Sequence, residues 1–133
     1  MPVYRIGRVA QLLGVSPDTA RRWADSGRLP TARDENGHRV VDGAALAAFA
    51  VALAEESGSG VPENPRPTSA RNSFPGIVTK VILGDVAAQV EIQAGPHRVV
   101  SLLTREAVEE LGLVPGVEAV ASVKSTSVTV ELP

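Results

Sequence analysis

Cysteine is missing from this sequence altogether. Disulfides, thiolate metal sites and a cysteine nucleophile are thereby excluded, and the composition suits a reducing compartment. Aromatic side chains are scarce as well, with one Trp, one Tyr and two Phe among 133 residues. Ala, Val and Leu must build whatever cores exist. Side chains that small need close backbone packing, which favours association between chains. There is no basic-then-apolar leader at Met1 and no apolar run of bilayer length; the longest apolar stretch, near Gly43 to Ala54, is short and rich in Ala. A soluble cytoplasmic protein without membrane contact is expected.

Charge of one dominant sign is lacking too. Lys and Arg number 13 against 15 Asp and Glu, a net charge of −2. Taken whole, this argues weakly against nucleic acid. The distribution says more. From Met1 to Ala54 seven arginines face five acidic residues (Asp18, Asp25, Asp34, Glu35 and Asp42), whereas from Glu55 onward six basic residues face ten acidic ones. A mildly basic head on an acidic body suits a head that touches phosphates.

Glycine and proline, by contrast, are concentrated in one place. Glu55-Glu56-Ser57-Gly58-Ser59-Gly60 is flexible by composition, and Val61-Pro62-Glu63-Asn64-Pro65-Arg66-Pro67 stiffens toward an extended form. The chain therefore divides into a head at 1–54, a linker at 55–67 and a body at 68–133. Units of about 60 residues bury only about 60% of their surface and are marginal alone. Oligomerisation or stabilisation by a ligand is expected.

The head reads as helical. Ile6, Val9, Leu12 and Leu13 share one helix face and Gly14 ends it. Ser16 then stands at an N-cap, with Pro17 at the first helical position and Asp18 in the first turn; Gly27 stops this second helix. Asp34-Glu35-Asn36-Gly37 is a turn between two extended pieces, Pro30 to Arg33 and His38 to Val41, and a third helix runs from about Gly43 to Leu53. In the body the period changes to two. Val90 and Ile92, and Val128, Val130 and Leu132, alternate with polar residues, and Ile77 to Leu83 and Val99 to Leu103 are strand-length apolar runs. One helix, capped by Thr104 and closed by Gly112 after Leu111, interrupts them. The fold class is α+β: a mainly α winged helix-turn-helix, then a small barrel of the oligonucleotide/oligosaccharide-binding kind, with five strands and one helix.

In a helix-turn-helix the N-terminal half of the second helix enters the major groove. Ser16, Thr19, Arg21 and Arg22 occupy that part, and arginine suits both guanine edges and phosphates. Ala20 and Trp23 face the first helix as core. His38 and Arg39, just past Asn36-Gly37, form the wing. The bland alternative makes Arg21 and Arg22 a solvated face. The order Tyr4-Arg5-Ile6-Gly7, Val15 to Trp23, Gly37-His38-Arg39 and Leu46 resembles the excisionase-like and MerR-like winged helix-turn-helix family. That resemblance implies double-stranded DNA as partner. Thiolate metal sensing of the MerR kind cannot apply to a chain without cysteine.

Three polar segments interrupt the apolar body: Ser69-Ala70-Arg71-Asn72, Thr104-Arg105-Glu106-Ala107 and Lys124-Ser125-Thr126-Ser127. Arg71 and Lys124 offer positive charge, the hydroxyls of Ser69, Thr104 and Ser125 donate, and a helix start presents N–H groups. Residue chemistry alone gives an anion site, or else surface pairs of Arg71 and Lys124 with Glu106 or Glu109. SARNSFPGIV, LLTREAVEELGL and VKSTSV, in that order over about 65 residues, resemble the Mop or molbindin class of TOBE domain. The resemblance implies molybdate or tungstate held between subunits of a dimer or hexamer, with contacts from Ser69, Ala70, Arg71, Thr104, the backbone at Ala107, Lys124 and Ser125. No organic cofactor, metal-ion site or catalytic residue is expected, and His97 has no second histidine nearby. A molybdate-responsive transcriptional regulator is the leading reading. Its rivals are a molybdate store whose head serves assembly, and a DNA-architectural protein whose barrel only oligomerises.

Overall fold

Glycine, serine and proline punctuate the first unit where the sequence places them. The computed structural model describes residues 2–58 and 66–133. The chain divides into two units, Met1–Ser59 and Gly60–Pro133. Of the expected linker, 59–65 lies outside the described residues.

The first unit contains β1 (Val3–Arg5), α1 (Ile6–Leu13), α2 (Pro17–Asp25), β2 (Ala32–Arg33), β3 (Arg39–Asp42) and α3 (Gly43–Ser57). Gly14 closes α1 in the left-handed region, φ 71°, a conformation that costs glycine little. Ser16 Oγ accepts the Thr19 N–H at 3.1 Å and opens α2, with Pro17 at the first helical position. Val9, Ala20, Leu29 and Val41 are fully buried, and Trp23 and Phe49 pack around them with ring centroids 5.4 Å apart. An alanine at position 20 leaves room for α1 and α2 to approach, as a core poor in large side chains requires. The three strands pair antiparallel in the order β1-β3-β2. Helix α3 continues past Leu53 to Ser57 and closes on Gly58, φ 63°, so Glu55 and Glu56 belong to the helix and not to the linker.

The second unit contains β4 (Asn72–Leu83), β5 (Ala87–Ala94), β6 (His97–Thr104), α4 (Arg105–Leu111) and β7 (Glu118–Val123). They form a curled antiparallel sheet in the order β6-β5-β4-β7. Val78, Ala88, Val90 and Ile92 of the sheet and Val108 of α4 form its buried cluster. Strand β4 is longer than the apolar run Ile77 to Leu83 and contains Pro75. Its first five residues pair only with β7, because the β5 ladder starts at Ile77. Pro75 thus lies where β4 is an edge and lacks no ladder bond on its other side. Gly76 is needed next to it, since a Cβ there would stand 2.4 Å from the Gln93 carbonyl oxygen.

Four strands pair, and not five. A 3-10 turn at Ser125–Ser127 follows β7, and the alternating segment 128–132 then runs without a ladder partner among the described residues. Val130 is 91% exposed and Leu132 90%. Alternation specifies a strand that can cover an apolar face but does not specify whose sheet receives it.

Candidate functional site

The ladder places the oxyanion candidates in two groups. Asn72 pairs with Val123, and the Asn72 side-chain amide donates to the Val123 carbonyl at 3.0 Å. Arg71 and Lys124 are the next residues outward on the two strands, so Ser69, Ala70, Arg71, Lys124 and Ser125 cluster at the start of β4. The Ala70 N–H is engaged by the Thr68 hydroxyl at 3.1 Å. Among the described residues neither Arg71 nor Lys124 has a carboxylate partner; Glu109, a possible surface mate for either, pairs with Arg105 at 2.9 Å. Both cations are exposed.

Thr104 and Ala107 lie toward the Leu83 end of β4 but two strands across the sheet, Thr104 ending β6 and Ala107 standing in α4. Leu83 pairs with Ala88, Ala88 with Leu103, and Ala87 with Thr104. Thr104 caps α4, its Oγ1 accepting the Ala107 N–H at 3.1 Å, and the Arg105 N–H donates to the Val86 carbonyl at 2.8 Å. The Ala107 N–H is therefore occupied. A hydroxyl that accepts one hydrogen bond still has its proton to give, so Thr104 can cap the helix and donate to an anion together. The twelve residues of β4 separate the two groups by a contour on the order of 35 Å at about 3.3 Å per residue. One small anion cannot touch both groups in a single chain.

In the head, Ser16 caps α2 and Thr19 is half-buried in its first turn, while exposed Arg21 and Arg22 stand farther along, Arg22 in the last turn. Thr19 Oγ1 lies 2.9 Å from Ser16 Oγ and accepts from Arg22 at 3.3 Å, and Arg21 pairs with Asp18 at 3.1 Å. Such exposed pairs contribute little to stability. The wing turn is built on Asp34, whose carboxylate accepts the His38 N–H at 2.8 Å and the Asn36 N–H at 2.9 Å. Those bonds, with the Arg5 and His38 charges, hold its pKa below the usual carboxylate range against the opposing effect of desolvation. The two wing candidates part ways here. His38 is exposed, with its Nδ1 3.2 Å from an Arg5 guanidinium nitrogen. Arg39 is half-buried and donates to Asp25 at the end of α2 at 2.6 Å, tying the wing to that helix. Sequence reasoning missed Arg5, which is remote from the wing in the chain and is brought there by pairing of β1 with β3. Among the described residues no group of three His, Cys, Asp or Glu could hold a metal ion, and no helix is long and apolar enough to cross a membrane.

Fold and placement together define a two-module chain: a winged helix-turn-helix head and a curled-sheet body with cations at one end and a capped helix at the other. Comparison with known proteins gives each module its relatives. The TOBE domain family model matches residues 68–130, and the MerR family regulatory protein model matches residues 5–41. Molybdenum-pterin-binding protein 2 of Clostridium pasteurianum is 41% identical over 63 residues, which are 47% of this chain and 93% of that protein. Molybdenum-pterin-binding protein MopA of Rhodobacter capsulatus is 40% identical over 62 residues, 46% of this chain and 23% of that one. Among solved structures, a molybdate binding protein from Sporomusa ovata aligns with a TM-score of 0.49 at 30% identity, covering 50% of this chain and all of that one. Through its body, the chain belongs to the TOBE-domain family of molybdenum-pterin-binding proteins.

Proposed function

We propose that this chain is a molybdate-responsive DNA-binding transcriptional regulator, whose body holds molybdate or tungstate between subunits and whose head binds double-stranded DNA. The division of the oxyanion set between opposite ends of the sheet carries the reading. Arg71 and Lys124 of one copy and Thr104 of another can converge on one tetrahedral dianion. The cations balance its charge, and the hydroxyls of Ser69, Thr104 and Ser125 and the backbone at Ala70 and Ala107 fix its orientation, Ala107 acting through the Thr104 hydroxyl it holds. A ligand bridging two copies favours the associated state by its differential affinity for that state. Paired heads then meet two half-sites on DNA.

The unpaired segment 128–132 supports assembly as a dimer or hexamer, because its apolar alternation fits the open sheet edge of a neighbour. The names of the relatives support the ligand, the MerR match supports the DNA partner, and a cytoplasmic location suits both. No catalytic role is assigned.

Calorimetric titration with molybdate, tungstate and sulfate, on wild type and on Lys124→Ala, tests the site. Wild type should give about one tight site per subunit for the first two anions. Loss of a charge-assisted bond should weaken Lys124→Ala by about 1.5–3 kcal/mol, roughly 10- to 100-fold. Binding to an operator selected from random duplexes, with and without molybdate, tests the coupling. An operator affinity indifferent to molybdate rejects the regulator, and several weak sites per subunit would point to a store.

A further inference from the structure

Arg5 and His38 form a contact that none of the preceding functions uses. They are 33 positions apart, and Arg5 Nη2 stands 3.2 Å from His38 Nδ1. A guanidinium has only donors, so this bond needs the lone pair of a neutral imidazole. Protonated histidine has none, and the pair becomes two like charges. The same ring nitrogen also faces Asp34, with Oδ1 3.6 Å from Nδ1, an acceptor for the N–H that a protonated ring would carry there. The remaining charged groups around the wing are Arg33, whose guanidinium donates to the Gly37 carbonyl at 3.0 Å, exposed Glu35, and Arg39, which is turned onto Asp25. None of these is hydrogen-bonded to the imidazole.

We propose that Arg5 is a further phosphate-contacting residue of the head, held by the neutral His38 imidazole and released to DNA when His38 takes up a proton. The inference rests on the DNA-binding reading above. Arg5 is exposed and is the N-cap residue of α1, the helix that crosses the backbone in this motif; no side chain closes that cap. Protonation replaces the Arg5 contact by the Asp34 one, frees a guanidinium and adds an imidazolium at the wing. Proton uptake linked to DNA binding makes affinity rise as pH falls, in the range about pH 5 to 8 where imidazoles change charge.

The salt dependence of duplex binding at pH 7.5 and 5.5 reads this directly, since each phosphate contact adds about one to the slope of log affinity against log salt. In wild type the slope should steepen by about one to two on acidification. His38→Gln, whose amide oxygen can still accept from Arg5 but cannot protonate, should hold the shallow slope at both pH values. His38→Ala should free Arg5 at both and show a slope about one steeper than His38→Gln. Arg5→Ala should retain only the imidazolium part of the change. A His38→Gln slope that steepens with pH as wild type does, or an Arg5→Ala slope equal to wild type at both, overturns the proposal. The contact has its own readout in the free protein. The Arg5 Nε–H signal should move with pH together with the His38 ring and stop moving in His38→Gln. An Arg5 signal indifferent to the imidazole rejects the clamp, whereas coupled signals without duplex binding at any pH reject the DNA reading instead.

Discussion

Of the large apolar side chains left exposed among the described residues, three lie in the head (Val3, Leu12 and Val51) and thirteen in the body. The two units are similar in length and in the smallness of their core residues. In the head, two helices, a three-stranded sheet and a third helix enclose Val9, Leu29 and Val41 completely. In the body, α4 covers one end of the sheet, while Val100 and Leu102 on β6, Ile77 and Ile82 on β4, and Val130 and Leu132 beyond β7 face outward. Apolar area exposed on this scale marks a surface that another protein covers. The head is a finished domain. On the reading proposed above, the body is one part of an assembly, and the split of its candidate oxyanion set repeats the point in polar residues.

The strongest way to break this contrast is to charge the unpaired segment. Val130→Asp with Leu132→Asp removes two side chains that would each contribute about 1.5–3 kcal/mol when fully buried between copies. The expected outcome is a fall in mass by light scattering, together with loss of the molybdate heat, while the head keeps its folded spectrum. An unchanged mass and unchanged heat would show that the body is complete alone. The reciprocal change is Leu29→Ala in the head core. Truncating a fully buried leucine costs about 2–5 kcal/mol, a large part of the stability of so small a unit. Denaturant unfolding followed at Trp23 should show that loss, and molybdate titration of the body should stay as in wild type. A matching loss in the titration would mean that the units do not fold independently.

Legibility in the sequence follows the same divide. Most features set by local chemistry were readable: the Gly14 stop, the Ser16 and Thr104 caps, the Asp34–Gly37 turn, and Ala20 with Trp23 on the inner face of α2. These depend on residues within four positions of one another. Most of what escaped depends on residues far apart in the chain, and one local feature, the end of α3, was missed as well. Strand β1 is three residues long and exists because β3 offers it an edge. The extension of α3 through Glu55-Glu56-Ser57 was hidden by the Gly/Ser composition that follows, although glutamate is a good helix former and Gly58 is the natural stop. Alternation at 128–132 predicts a fifth strand that the structure does not contain, because period two identifies a face and does not supply a ladder partner. For the candidate site, the residue types Arg71, Lys124 and Thr104 were readable from three polar interruptions. Their placement, with Arg71 and Lys124 beyond one end of β4 and Thr104 at the end of β6 two strands away, was not, since only the register shows it.

The smallest expected effect concerns the head alone and follows from the sign of one titration. Asp34 has a folded pKa below its ordinary range, chiefly because its carboxylate accepts the His38 N–H. A group depressed on folding stabilises the folded state above its unfolded pKa, and that contribution disappears as pH falls through the folded value. The wing should therefore loosen on acidification below the ordinary aspartate range. Hydrogen exchange at the Asn36 and His38 amides, followed in that acid window, should show protection lost in wild type. Asp34→Asn keeps a side-chain oxygen that can accept both N–H groups but has no proton to bind, so it should start with weaker protection and show little further acid loss. The body provides the control, because its ladder amides do not depend on Asp34. Protection that grows as wild type is acidified would show that the turn is held by something other than this carboxylate.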